Sequence, residues 1–84
     1  MAYRMTKKKT TLKLVEELNE LATVILQNIN KPMKEHTIEI QDEIADVKLW
    51  LSIVEKRYDK GYIDKRIKKK IKRYKLDKYK ENEL

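Results

Sequence analysis

Four carboxylates stand in this chain as two matched pairs. Glu17 and Glu20 lie in the run Glu16-Glu17-Leu18-Asn19-Glu20, and Glu43 and Asp46 in Glu43-Ile44-Ala45-Asp46. Each pair is spaced i, i+3 within a segment of helical apolar period, so its members share one helix face, one turn apart. That face is the apolar one. Glu43 is bordered by Ile40, Val47, Leu51 and Val54 on one side and by Trp50 on the other, and Asp46 falls between Trp50 and Ile53. Glu17 falls between Leu21 and Val24, with Glu20 just beyond Val24. Carboxylates withdrawn from water must be neutralised, paired or bound to a metal. Four oxygen donors on two facing helices suit a hard divalent cation, Mg²⁺ or, as the alternative, Mn²⁺.

The two pairs must be brought level for this chemistry. Their midpoints are equidistant from the Lys31-Pro32 junction, and Pro32 is the only proline. Proline disfavours a helical conformation at the residue before it, so the chain is expected to fold back there into a helical hairpin. The first helix is expected from Leu12 to about Ile29, with Thr10 or Thr11 as its cap. Val15 and Leu26 lie off its main stripe and form a second apolar strip. The second helix is expected from a Thr37 cap to about Tyr58, with Asn28 to Glu35 as the connection. It is apolar nearly all round, the mark of a central helix. Gly61 is expected to close it as a left-handed cap. A narrow stripe of Ile63, Ile67, Ile71 and Tyr74 then predicts a third, very basic helix from Ile63 to about Tyr79.

The alternative for the acids is a surface lattice of ion pairs. Glu16–Glu20 and Glu39–Glu43 are instead like-charge i, i+4 pairs, destabilising unless a cation intervenes. Glu39 is a candidate extension of the cluster. His36 reads as a solvated residue at a helix end, and Trp50 as core rather than a base-stacking platform.

Eighty-four residues make one small domain, spanning 1–84. So small a chain is marginal alone. Without cysteine, neither disulfides nor a Cys-based zinc site holds it together. No apolar run is long enough to span a membrane, and no signal-peptide pattern precedes the helices, so the expectation is a cytoplasmic protein with no membrane partner. The net charge of +7 is unevenly spread. Residues 1–9 form a basic N-terminus expected to be flexible, the body is acidic, and residues 63–84 form a basic helix and tail. A cation-holding body with basic ends attracts polyanions.

The runs Leu14-Val15-Glu16-Glu17-Leu18-Asn19-Glu20-Leu21 and Asp42-Glu43-Ile44-Ala45-Asp46-Val47 resemble the two halves of the motif of MazG-like all-α nucleoside triphosphate pyrophosphohydrolases. The resemblance covers about residues 12–58. It implies an enzyme, a Mg²⁺-dependent hydrolase that converts a nucleoside triphosphate or related nucleotide to the monophosphate and pyrophosphate. Glu17, Glu20, Glu43 and Asp46 would be the metal ligands. Glu16 would serve as a catalytic carboxylate that assists the attacking water. Basic residues at the start of the third helix, with Lys60, Lys65 and Arg66 as candidates, would bind the triphosphate. Family members usually carry a fuller four-helix domain. An all-α chain with a hairpin and a basic third helix would therefore complete a four-helix-type bundle as a homodimer or homotetramer. The rival reading is a non-enzymatic helical binding protein whose basic helix engages nucleic acid or a protein partner. Nucleic acid is the less favoured partner.

Overall fold

The computed structural model describes residues 5–31 and 35–76. Among these the chain is all helical, in three helices: α1 (Lys7–Asn30), α2 (Thr37–Glu55) and α3 (Lys60–Arg73). Pro32, at the expected fold-back, and the last part of the expected third helix lie outside the described residues.

α1 starts earlier than its apolar pattern suggests. The Thr6 hydroxyl accepts from the Lys9 backbone N–H at 3.0 Å and supplies the N-cap. Lys7, Lys8 and Lys9 are thus helical rather than frayed. The hydroxyls of Thr10 and Thr11, expected to cap, instead donate to the Lys7 carbonyl at 3.0 and 2.8 Å. Thr37 is the first residue of α2, not its cap. His36 occupies the cap position, and the Glu35 carboxylate accepts from the Thr37 N–H at 2.7 Å. α2 stops at Glu55, and a short turn leads to Asp59, whose carboxylate caps α3 by accepting from the Tyr62 N–H at 3.1 Å.

Gly61 therefore lies inside α3, and its φ is not positive. The left-handed residue is Lys75, at φ 55°. It ends α3 as a Schellman motif. The Leu76 N–H donates to the Ile71 carbonyl at 2.8 Å, and the Lys75 N–H to that of Lys72 at 3.1 Å.

α1 and α2 pack against each other as an antiparallel hairpin, whereas α3 is not packed along it. The register runs from the Arg57 guanidinium at one end, through Lys13 over the Trp50 ring, to the facing carboxylates further along. Arg57 donates to the Lys7 carbonyl (3.4 Å) and to the hydroxyls of Thr11 (3.1 Å) and Thr10. The buried face of α1 consists of Thr10, Lys13, Leu14, Glu17, Leu21 and Val24, with Glu17 near its centre. Little of this interior is apolar. Val54 is the only buried hydrophobic residue among those described.

Arg57 holds the open end of the hairpin through neutral acceptors, one of them the buried Thr10 hydroxyl. Arg57→Met should lower unfolding free energy by about 1–3 kcal/mol in urea titrations, since it leaves that hydroxyl without its partner across the hairpin. Arg57→Lys should recover only part of the loss, because a point ammonium cannot replace the guanidinium fork.

Candidate metal centre

Three of the four expected ligands come together. Glu17 of α1 and Glu43 and Asp46 of α2 each offer a carboxylate oxygen, and these oxygens all lie within 4.8 Å of one another. Glu17 is buried, at 6% exposure, and Glu43 and Asp46 are half-buried. Glu17 Oε1 and Glu43 Oε1 are buried without any hydrogen-bond partner. Buried carboxylate oxygens are almost always satisfied, so two orphans in one cluster are consistent with a ligand that belongs there.

The donor set fits a hard divalent cation. An ion centred among oxygens no more than 4.8 Å apart sits at most about 2.8 Å from each, so shifts of under about 1 Å reach Mg²⁺ or Ca²⁺ bond lengths. All three donors are oxygens, and no cysteine is available to favour a softer metal.

The fourth ligand candidate, Glu20, is exposed and lies outside this set of oxygens, yet its negative charge acts on Glu43. It sits on the rim. Beside it runs an open groove of about 340 Å³ lined by Asn19, Glu20, Thr23, Val24, Gln27 and Glu43, leading from the cluster toward the loop end of the hairpin. Glu43 is held above the ordinary carboxylate value of 4.5, first by desolvation and then by the negative charges of Glu20, Glu17 and Asp46.

Glu16, the candidate catalytic carboxylate, is exposed and bonded to the Lys13 ammonium at 2.9 Å. The same ammonium lies 3.3 Å from Glu17 Oε2 and 5.9 Å from the centre of the Trp50 ring. Lys13 is thus the one cation that the described residues place at the cluster. It escaped the sequence reading, although its i, i+3 and i, i+4 spacing to Glu16 and Glu17 was there to be used.

Glu39 is turned away from the cluster, toward His36 Nδ1 at 3.2 Å. A carboxylate only accepts, so Nδ1 carries the proton. His36 is 2% exposed, a correction to its reading as a solvated residue, and its Nε2 is buried without a partner.

The candidate phosphate ligands lie elsewhere. Lys60 bonds Asp64 at 2.7 Å in the cleft between the end of α2 and α3. Lys65 stands beside Asp59, Gly61 and Tyr62, and Arg66 is half-buried on α3. Asp46 precedes the end of α2 by nine residues, about 13 Å of helix rise. The structure groups none of the three basic residues with the carboxylates of the same chain.

The raised value of Glu43 sets the sign of a pH dependence. A carboxylate whose folded pKa exceeds its unfolded one contributes stability below the unfolded value and loses it as pH rises through the folded value. The metal-free protein should therefore gain thermal stability through Glu43 as pH falls from 7 toward 4.5. Glu35, held below its ordinary value by hydrogen bonds from Thr37, opposes this only at lower pH. With Mn²⁺ the trend should invert, because protons compete with the ion for the same oxygens. Glu43→Gln should raise the metal-free melting temperature at pH 7 and abolish the response to Mn²⁺, as read by melting in chelator and in metal.

No protein-family model matches the chain, no curated protein matches it, and no solved structure matches it.

Proposed function

We propose that this chain is a Mg²⁺-dependent nucleoside triphosphate pyrophosphohydrolase that works as a homo-oligomer of hairpins, yielding a nucleoside monophosphate and pyrophosphate. The observation that carries the reading is the convergence of Glu17, Glu43 and Asp46 from two antiparallel helices, with two buried oxygens lacking partners. The resemblance of both acidic runs to the MazG-like motif supplies the reaction class.

In this reading Glu17, Glu43 and Asp46 hold the ion, and Glu20 extends the oxygen surface at the rim. When bound, a divalent ion screens the phosphate charge and makes a coordinated water acidic enough to attack. The chain's own groups do the rest. Lys13 exchanges its carboxylate partners for a phosphate oxygen. Glu16, released from Lys13, accepts the proton of the attacking water. A phosphoanhydride bond then breaks, and pyrophosphate leaves with the bridging oxygen. Asn19, Thr23 and Gln27, one turn apart along the groove, meet the nucleoside with neutral donors and acceptors. The α1–α2 packing supplies positioning.

The apolar surface supports assembly. Leu12, Val15, Leu18, Leu26 and Ile29 on α1, and Ile38 and Leu49 on α2, are all more than 45% exposed. Two hairpins joined through such surfaces make a four-helix bundle, and covering each large side chain adds about 1–2 kcal/mol. Lys60, at the start of α3, then meets the triphosphate from a second copy.

Pyrophosphate release from a panel of ribo- and deoxyribonucleoside triphosphates with Mg²⁺ tests the reaction. Glu43→Gln should lose about 100-fold or more in rate; equal rates in mutant and wild type would remove the assignment. Sedimentation velocity should show a dimer or tetramer. Leu26→Glu should shift it toward monomer and lower its melting temperature, whereas a monomeric wild type would exclude the assembly.

A further inference from the structure

α3 is built unlike the hairpin. Its fourteen residues carry Lys60, Lys65, Arg66, Lys68, Lys69, Lys70, Lys72 and Arg73 against a single acid, Asp64. That acid is taken by Lys60 at 2.7 Å. The other seven cations form no ion pair among the described residues, and all but the half-buried Arg66 are exposed.

Their placement has a direction. At about 100° per residue, Ile63, Ile67, Ile71 and Tyr74 occupy an arc of about 80°, while the seven cations fill an acid-free arc of about 200° centred opposite. Ile63 and Ile67 line the cleft of about 310 Å³ shared with Glu55, Lys56 and Tyr58. The apolar edge thus begins against the end of α2, and the basic arc faces outward.

We propose that this basic arc docks against the phosphate backbone of B-form duplex DNA, with α3 lying in the major groove. The occupant follows from the charge distribution. A free triphosphate is only a few ångströms long and touches one side of a helix, whereas these cations extend over about 12 Å of helix and around more than half its circumference. A membrane is the wrong shape. An interfacial helix needs a broad apolar face with basic residues at its borders. Here Lys65, Lys69 and Lys72 point opposite the isoleucines, and would face away from the headgroups once those isoleucines entered lipid. A groove about 12 Å wide, with phosphates along both walls, meets a 200° arc on both flanks. The surface carries no pattern for reading bases, so binding is independent of sequence.

The full-length protein is titrated onto a fluorescein-labelled random-sequence DNA duplex across a series of NaCl concentrations. Four to six phosphate contacts give a slope of about −4 to −5 for log affinity against log salt. Lys68→Gln, Lys69→Gln and Lys72→Gln together keep helix propensity, which far-ultraviolet circular dichroism checks. This triple variant should weaken binding at least tenfold and reduce the slope by about 2–3. Duplex RNA should bind more weakly, since its major groove is too narrow for a helix. Glu43→Gln should bind DNA as the wild type does, so the outcome is separable from that of the metal site. The proposal is overturned by no binding at low salt, by an unchanged slope in the triple variant, by equal affinity for duplex RNA, by loss of binding in Glu43→Gln, or by tighter binding to phosphatidylserine vesicles than to DNA.

Discussion

Repulsion between like charges held close together is the constraint on which this small fold turns. Glu17 sits near the centre of the face that α1 presents to α2, where a leucine would pack at no electrostatic cost. Across from it stand Glu43 and Asp46. Among the described residues, only Lys13 offsets this charge, and Lys13 divides itself between Glu16 and Glu17. An interior arranged in this way gives up packing energy for a cluster of carboxylates that could hold a cation.

The other unusual features follow from that concession. With Glu17, Thr10 and His36 buried and Val54 the only buried hydrophobic residue among those described, the hairpin draws little on hydrophobic burial within itself. It is held by directed contacts: the Arg57 fork, the Lys13 pairs with the Trp50 ring alongside, and side-chain caps at Thr6, Glu35 and Asp59. Contacts of this kind set geometry more sharply than they add stability. The apolar residues that would make a core on a self-sufficient domain are on the outside instead. Among the described residues, no helix is long and apolar enough to cross a membrane, so a bilayer-spanning segment does not account for them.

Much of this could be read from residue order. Equal spacing of the acid pairs from Lys31-Pro32 predicts that the pairs come level, and the structure brings Glu17 together with Glu43 and Asp46 while leaving Glu20 outside the set. The wheel also places Glu20 at the margin of the apolar arc, and there it stays exposed. What escaped is local. Three consecutive lysines hide a helix start, because Thr6 caps it and the apolar period begins only later. Gly61 looks like a helix end, but Asp59 two residues earlier is a strong cap and starts the next helix. The left-handed turn then falls on Lys75, a residue type that gives no hint of it. His36 and Arg57 owe their positions to tertiary packing, which one-dimensional periodicity does not encode.

The bond between Arg57 and Thr10 closes a ring whose ends lie 47 residues apart in the chain. Closing so long a loop costs conformational entropy mainly once, and little more for any contact formed inside it. With one end latched and the other joined by the connection after α1, the helices cannot part like the blades of scissors. They can only bow. The gap between the carboxylates then widens or narrows by helix curvature, and curvature is stiff. The spacing of Glu17 from Glu43 and Asp46 is therefore set by the frame as a whole rather than by the three side chains alone.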